Sequence, residues 1–400
     1  MTRRNSSIHI VRFIPLLALA LVLTLAGCGD EATAPSVAAP AELAASAAPL
    51  VFRQVSAGDD HACGVTTTDR AYCWGWNYVG QVGDGTTTTR TRPVAVLGGL
   101  RFKHVSAGAT YTCGVTNDER VFCWGQNDRG QLGDGTTANR LTPGVVAGGG
   151  RFRQVRAGVN HTCAITPLDL AFCWGENSSG SVGDGTNTTR LTPVRVLGGL
   201  HWRQLSSGGG QTCGVTTGDR AYCWGLNGNG ELGDGTHIDR LQPRAVAGGL
   251  LFRQIEAGGF HTCAVTTGDR AYCWGYGSFG QLGDGTAPRT RPTPGPVSGL
   301  RRFQHVSAGR NHTCGVTVAG RGFCWGGNYA TQLGDGTATN RLTPTALGVQ
   351  LQLVLVTTGS AHSCGVTTGQ RAYCWGANGV GQLGDGTTIQ RPQPAPVAGP

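Results

Sequence analysis

The sequence predicts an all-β protein, a β-propeller made of seven repeats of about 50 residues. A pair of cysteines ten positions apart, with a tryptophan directly after the second, occurs seven times at a period of 50 residues that lengthens once to 51. A fixed period of this length is the signature of a repeat architecture. No repeat shows a sustained helical pattern, and each has room for about four short strands. Because radial closure protects the edges of such strands, we expect a propeller and not an open solenoid.

The N-terminal segment has the features of an export signal. Arg3, Arg4 and Arg12 precede an apolar run over 13–25 that is short for a membrane span. Leu-Ala-Gly-Cys at 25–28 resembles the bacterial lipoprotein signal, in which the cysteine becomes the lipidated N-terminus after cleavage. An ordinary signal peptide with an accidental cysteine is the alternative.

Three segments follow from this boundary. We assign 1–27 to a lipoprotein-type signal peptide, 28–50 to the lipidated Cys28 and a flexible tether rich in alanine and proline, and 51–400 to the propeller. The protein is therefore expected to be exported and anchored to the bacterial membrane, on the periplasmic side or at the cell surface. Its contact with the membrane would be through the N-terminal lipid only.

The outer parts of each repeat supply the first and last strands. Phe52 to Gly58 alternates apolar and polar positions and predicts the first strand, and 93–96 predicts the last one after a stretch rich in glycine and threonine. The 67 glycines of the chain suit the many tight turns that such a fold requires.

The cysteines between these strands are predicted to staple a hairpin in every repeat. If the turn centres on Thr68, Cys63 lies opposite Cys73, within the separation that a disulfide accepts, and Gly64 lies opposite Tyr72. Thiols oxidise outside the cytoplasm, which favours disulfides. Zinc is the alternative, although no second Cys or His pair with ligand spacing accompanies each cysteine pair. The predicted disulfides join Cys63 to Cys73, Cys113 to Cys123, Cys163 to Cys173, Cys213 to Cys223, Cys263 to Cys273, Cys314 to Cys324 and Cys364 to Cys374.

Residues that occur in all seven repeats are predicted to build the blades. The tryptophan after the second cysteine is expected in the core between blades. An aspartate in a Gly-Asp-Gly-Thr turn is expected to bond turn amides or an arginine that follows it, with calcium binding or catalysis as the alternative. These aspartates are Asp84, Asp134, Asp184, Asp234, Asp284, Asp335 and Asp385.

A recurrent histidine invites a metal-site interpretation. Five repeats have histidine at one position, where the other two have Tyr111 and Gln211. A ring of histidines near the axis could bind a metal or an anion, but a hydrogen bond to neighbouring backbone suits all three residue types. We therefore predict a structural role and no cofactor or metal. The histidines are His61, His161, His261, His312 and His362.

The wording of the repeat resembles a known family. Trp-Gly-x-Asn-x-x-Gly-Gln-Leu-Gly-Asp-Gly-Thr at 124–136, with Ala-Gly-x-x-His-x-Cys as at 257–263, is similar to the repeat of the regulator of chromosome condensation family, and the resemblance covers 51–400. The resemblance implies a seven-bladed β-propeller. Guanine-nucleotide exchange in that family depends on a wedge that projects from one blade, whereas no repeat here exceeds another by more than one residue.

Binding to an asymmetric partner needs residues that differ between blades. The loops Ala-Gly-x-x-His and Trp-Gly-x-Asn-x-x-Gly differ in this way, and the hairpin register places both on one face. Their aromatic and charged side chains have the composition of a protein-binding surface, and neutral variation of a solvent-exposed face is the alternative. The candidate binding residues are Asp59, Asp60, Trp76, Tyr78, Asp128, Arg129, Phe260, Tyr276, Phe279, Arg310 and Tyr329.

These features predict a monomeric binding module that holds an unidentified extracytoplasmic protein and could cap and inhibit an enzyme, as bacterial members of the family do. A carbohydrate-binding propeller is the alternative, because exposed aromatics stack on sugar rings. Nucleotide exchange and a propeller enzyme are lesser candidates, since no catalytic arrangement departs from the repeat pattern. The formal charge is +9, or +6 without the three arginines of 1–27, and it is spread over the repeats, so no nucleic-acid partner is expected.

Overall fold

A computed structural model describes residues 50–287 and 289–400 and shows the predicted seven-bladed propeller. The export signal, Cys28 and the tether up to residue 49 lie outside the described residues. Within the described part, the structure contains no helix able to cross a membrane. The strands are β1 (Phe52–Ala57), β2 (His61–Thr66), β3 (Ala71–Gly75), β4 (Arg90–Ala95), β5 (Phe102–Ala107), β6 (Tyr111–Thr116), β7 (Val121–Gly125), β8 (Arg140–Val145), β9 (Gln154–Ala157), β10 (His161–Ile165), β11 (Ala171–Gly175), β12 (Arg190–Arg195), β13 (Trp202–Ser207), β14 (Gln211–Thr216), β15 (Ala221–Gly225), β16 (Arg240–Ala245), β17 (Phe252–Ala257), β18 (His261–Thr266), β19 (Ala271–Tyr276), β20 (Thr290–Pro296), β21 (Phe303–Ala308), β22 (His312–Thr317), β23 (Gly322–Gly326), β24 (Arg341–Ala346), β25 (Leu353–Thr358), β26 (His362–Thr367), β27 (Ala372–Gly376) and β28 (Arg391–Pro396).

Each repeat forms one blade, an antiparallel sheet whose four strands stand in sequence order. Blade 1 is β1 to β4, and blades 2 to 7 follow in steps of four strands. The ring closes by packing of blade 7 against blade 1, without an exchanged strand. The amide of Phe52 donates to the carbonyl of Gln370 at 2.8 Å. The indole of Trp74 donates to the carbonyl of Gln382 at 3.0 Å.

The predicted hairpin register is confirmed. Cys63 pairs with Cys73 and Gly64 with Tyr72 across β2 and β3. The small residue opposite the tyrosine makes room for an aromatic ring of the first strand, since a Cβ on Gly64 would lie 2.6 Å from the ring of Phe52.

A disulfide closes the hairpin of every blade, so the predicted pairing is confirmed and the cysteines are not left as zinc ligands. Each bond joins the second strand of a blade to its third. The seven disulfides are Cys63 with Cys73, Cys113 with Cys123, Cys163 with Cys173, Cys213 with Cys223, Cys263 with Cys273, Cys314 with Cys324 and Cys364 with Cys374.

The recurrent tryptophan lies between blades, as predicted. Trp124 is fully buried, packs against Phe102 with ring centroids 5.9 Å apart, and donates to the carbonyl of Gln81 in blade 1 at 3.0 Å. Gly83 closes over this indole with φ of +77°, and a Cβ there would lie 2.6 Å from the indole nitrogen. The tryptophan therefore joins apolar packing to a polar contact at six of the seven seams; the exception is Trp375, whose indole nitrogen has no hydrogen-bond partner among the described residues.

The Gly-Asp-Gly-Thr turn is held by side-chain hydrogen bonds. Asp84 accepts from the Thr86 amide at 3.0 Å and pairs with Arg90 at 2.7 Å, so the predicted structural role is confirmed. Buried Asn77 adds what sequence analysis left unassigned: its Nδ2 donates to the carbonyl of Thr86 at 3.0 Å, and its Oδ1 accepts from the Val82 amide at 2.9 Å. These bonds hold the long connection between the third and fourth strands.

Candidate binding face and central channel

The two variable loops lie together at one end of the blades. The amide of Trp76 donates to the carbonyl of Asp60 at 2.9 Å, and that of Gln126 donates to Thr110 at 3.1 Å in the next blade. The same backbone bond recurs around the ring, so the predicted pairing of loops is correct. We call this end the variable face; it comprises 59–60, 76–79 and their equivalents in the other blades.

A ring of glycines surrounds the axis below this face. A Cβ on Gly58 would lie 2.3 Å from the carbonyl oxygen of Gly108, and one on Gly108 would lie 2.5 Å from that of Gly158. The ring is complete, because Gly359 of blade 7 meets the carbonyl of Gly58 in the same way. Close approach of the backbones explains why every blade has glycine at this position.

Three predicted aromatic residues form one cluster on blade 5. Tyr276 packs against Phe260 and Phe279 in T-shaped contacts, with centroids 6.4 Å and 6.2 Å apart. All three are half-buried. The cluster borders blade 6, because a Cβ on Gly327 would lie 3.6 Å from the Cβ of Phe279. We call Phe260, Tyr276 and Phe279 the aromatic cluster.

Two of the other predicted aromatics, Tyr78 and Tyr329, are more exposed, whereas Trp76 is half-buried. Tyr78 is 68% exposed and lies 5.5 Å from Trp76, centroid to centroid, on blade 1. Tyr329 on blade 6 is 59% exposed. Tyrosine is one of the residue types enriched at the centres of protein interfaces, so these exposed rings are available to a partner.

Charged residues of blades 6 and 1 influence one another electrostatically. Burial raises the pKa of Asp59, the neighbouring Asp60 raises it further, and the positive charge of Arg310 opposes both. Blade 7, which lies between blades 6 and 1 in the ring, has the small residues Ser360 and Ala361 at the equivalent loop. The structure thus places Asp59, Asp60 and Arg310 within electrostatic reach of one another, which the sequence alone does not reveal.

Asp128 and Arg129 stand apart from these groups on blade 2. Both are exposed, and they pair with each other at 3.7 Å. An exposed pair of this kind contributes little to stability. The eleven predicted residues therefore fall into a sector on blades 5, 6 and 1 and a separate pair on blade 2.

The recurrent histidines are buried, and their partners differ from the expected ones. His61 Nε2 lies 2.8 Å from the hydroxyl of Thr112 in the next blade, a side-chain contact where backbone was predicted. Backbone contact occurs for the substitutes: Tyr111 donates to His161 O at 2.7 Å and Gln211 to Gly258 O at 3.0 Å. No group of three or more potential ligand side chains lies close enough to hold a metal within residues 50–287 and 289–400.

A channel of about 840 Å³ runs through the propeller. The first strands of all seven blades line it, and Asp59, Phe260 and Arg310 lie at its opening on the variable face. Side chains of one blade cover the strand edge of the next: Gln54 Nε2 donates to Val105 O at 2.7 Å. Sequence analysis missed the channel, although the polar positions of the first strand were visible in every repeat.

A sequence model of the RCC1-like domain matches residues 24–303 and 97–400. The chain belongs to the RCC1-like family. Human WBSCR16 superposes with a TM-score of 0.73 at 22% identity, covering 79% of this chain and 87% of that one. Yeast RCC1 (Prp20) bound to Kap60 gives 0.73 at 20% identity, covering 87% and 85%. The ectodomain of the Physcomitrella patens receptor kinase CR4 gives 0.56 at 20% identity, covering 82% and 74%.

These RCC1-like structures establish a shared fold at low identity. Prp20p from Saccharomyces cerevisiae, 21% identical with a TM-score of 0.72, is described by its binding to Gsp1p and histones. That binding is a property of the yeast protein. No curated protein sequence matches this chain.

Proposed function

We propose that this RCC1-like propeller is a protein-binding module of the bacterial cell envelope. It would be exported, anchored by a lipid on Cys28, and engaged with an extracytoplasmic protein through the variable face. Seven disulfides support an oxidising compartment. The Leu-Ala-Gly-Cys stretch at 25–28 supports the lipid anchor.

The sector on blades 5, 6 and 1 carries the proposal. It combines a half-buried aromatic cluster, the exposed ring of Tyr329 and the exposed cation of Arg310 around one opening. Tryptophan, tyrosine and arginine are the residues that dominate binding energy at protein interfaces, and they act near the centre of a contact. The scaffold beneath is built from repeated contacts and needs none of these side chains.

Capping of an enzyme is the form of binding that this geometry suits best. Asp59, Phe260 and Arg310 of this sector line the channel at its opening, so a protruding loop of a partner would meet both aromatic and charged groups there. Binding is proposed because the side chains at this opening, Phe260 and Arg310 among them, are of the aromatic and charged kinds that occur at protein interfaces.

Capture from the envelope tests the proposal. The full chain with Cys28→Ser serves as bait beside the same chain with Tyr276→Ala and Phe279→Ala. A second control carries Asp128→Ala and Arg129→Ala on blade 2. We expect one protein to be held by the bait and by the blade 2 control, and lost with the aromatic variant at unchanged melting temperature. Loss of binding together with stability, or equal capture by all three baits, would contradict the proposal.

Carbohydrate binding is a second candidate. Tyr78 is 68% exposed beside the half-buried ring of Trp76, and an open aromatic ring can stack on a sugar. Binding of the chain to immobilised glycans, abolished by Tyr78→Ala and unaffected by the aromatic-cluster changes, would support this function. Capture of a protein that survives Tyr78→Ala would exclude it as the main role.

A further inference from the structure

Two charged side chains in the central channel break the repeat pattern. Arg156 in blade 3 and Glu256 in blade 5 occupy one repeat position on the first strand, and both line the channel. The remaining five blades have a small hydroxyl residue there. These are Ser56, Ser106, Ser206, Ser307 and Thr357.

In the other blades, the hydroxyl at this position accepts a hydrogen bond from a backbone amide of the next blade. Ser56 Oγ accepts from the Ala107 amide in the next blade at 3.0 Å, and Thr357 Oγ1 accepts from Ala57 at 3.2 Å. Arg156 makes a different contact, a bond from Nε to the carbonyl of Leu205 at 3.3 Å. Two blades of this propeller have a charged residue at a position that is serine or threonine in the other five, and such departures from a structural pattern often have a functional reason.

Arg156 and Glu256 influence each other electrostatically but do not form an ion pair. Glu256 accepts from Gln204 at 3.1 Å, Gln254 at 3.3 Å and Ser206 at 3.2 Å. Within residues 50–287 and 289–400, no carboxylate comes within the 4.0 Å of the Arg156 guanidinium that defines an ion pair. Both side chains are only half-buried and line the channel without a close ion-pair partner in the described part of the chain, so each is available to a charged ligand.

The positive charge of Arg156 affects the pKa of titratable groups in three other blades. Burial lowers the pKa of His104 in blade 2 to about 4, and the charge of Arg156 adds to the shift. It contributes in the same way at His305 in blade 6, whose pKa is also about 4 because of burial. Burial raises the pKa of Glu256, and Arg156 together with the three hydrogen bonds opposes that rise and favours the carboxylate. His104 and His305 are therefore neutral at pH 7. Arg156 is the cation whose charge favours the carboxylate of Glu256.

We propose that the central channel binds a small zwitterion, with the carboxylate of the ligand on Arg156 and its ammonium group on Glu256. Arginine presents a planar fork of donors that matches a carboxylate. The channel volume of about 840 Å³ falls in the range of small-molecule sites. A simple anion would be repelled by Glu256 and a simple cation by Arg156, whereas a zwitterion satisfies both.

Calorimetric titration of the purified full chain tests this site. The probes are glycine, 4-aminobutyrate and 6-aminohexanoate, which separate the two charges by increasing lengths, with acetate and methylammonium as single-charge controls. Arg156→Ser and Glu256→Ser are the matched variants, because serine occupies this position in four other blades. Ser106→Ala, at the same level in blade 2, is the control that leaves both charges in place.

We expect at least one zwitterion to bind at about millimolar strength or better, and at least tenfold more tightly than acetate or methylammonium. Each serine variant should weaken that binding by about tenfold or more, whereas Ser106→Ala should preserve it. Absence of heat with all three zwitterions, equal binding of acetate, or unchanged affinity in Arg156→Ser would overturn the proposal. The probes contain no protein, so these results are independent of partner capture at the variable face.

Discussion

His61 Nε2 lies 2.8 Å from Thr112 Oγ1, and this contact joins blade 1 to blade 2 near the axis. The same contact links blades 3 and 4, 5 and 6, and 6 and 7. At the closing seam, the ring of His362 finds no hydrogen-bond partner of acceptable geometry, and blade 1 has Ala62 where the next-blade hydroxyl stands elsewhere. Leu355 likewise replaces the glutamine that covers the neighbouring strand edge in four of the other blades.

Ala62→Ser should strengthen the closing seam. The new hydroxyl would take the place that Ser363 holds against His312 at 2.9 Å, and a buried hydrogen bond of this kind contributes about 1 kcal/mol. Urea unfolding should show this gain in the free energy of unfolding.

The control is Thr112→Ala, which removes the contact to His61 and also the hydrogen bond that Thr112 donates to the carbonyl of Gln81 at 2.9 Å, and it should cost about 1–3 kcal/mol. A lower free energy of unfolding in Ala62→Ser would show that the new hydroxyl does not form a stabilising hydrogen bond to His362.

The buried histidines predict acid-sensitive stability. Burial lowers the pKa of His61, His261 and His312 to about 3, below the unfolded value of 6.5. The unfolded chain therefore binds more protons below pH 6.5, so the free energy of unfolding falls as pH decreases from about 6.5 toward 4. Buried acids with raised pKa, such as Glu256, oppose this trend but are fewer.

His61→Gln isolates one contribution to this pH dependence. Glutamine already fills the position in blade 4 as Gln211, so the fold accepts it. We expect the slope of unfolding free energy against pH between 4 and 6.5 to fall by about 1.4 kcal/mol per pH unit. Urea denaturation at several pH values measures the slope. An identical slope in the variant would show that His61 is protonated in the folded state.

The glycine ring predicts a large effect from a single methyl group. A Cβ on Gly208 would lie 2.4 Å from the carbonyl oxygen of Gly258, so Gly208→Ala must push two blades apart. We expect a loss of about 2 kcal/mol or more in the free energy of unfolding. Gly218→Ala is the control, because nothing lies within 4 Å of its Cβ position. Similar melting temperatures for the two variants would show that the blades are not in close contact at the axis.

The lipid anchor is tested by fractionation. Cys28→Ser removes the proposed acceptor of the lipid, and the protein should move from the membrane pellet to the soluble fraction of the source cells. Metabolic labelling with a fatty acid shows whether the lipid is covalent, because a covalent label stays with the native protein after extraction with organic solvent. Persistence of Cys28→Ser in the membrane fraction would refute a lipid anchor at this residue.

The sequence predicted the fold well because the repeat period aligns seven copies of each local rule. Cys63 and Cys73 face each other as the two-residue alternation of a hairpin requires. The closure of the ring could not be predicted from the sequence. The alternation of apolar and polar residues does not show whether the first strand completes the first blade or joins the sheet of the last one. The structure shows that each blade is made from one repeat.

The candidate site was predicted only in part. Variation between repeats identified the loop residues, but it could not show that Arg310 in blade 6 lies within electrostatic reach of Asp59 in blade 1. Arg156 and Glu256 were missed because their strand was judged only by its polar alternation. Comparison of that one position across the repeats contains the signal, since serine or threonine fills it elsewhere.

The most direct test of the binding face is an affinity measurement with the captured partner on four chains. These are the native chain, Tyr276→Ala with Phe279→Ala, Arg310→Ala with Tyr329→Ala, and Asp128→Ala with Arg129→Ala. We predict that the changes on blades 5 and 6 each weaken binding by about tenfold or more, while the blade 2 changes alter it by less than about threefold. Equal affinity for all four chains, or a loss confined to blade 2, would contradict the assignment of binding to this sector.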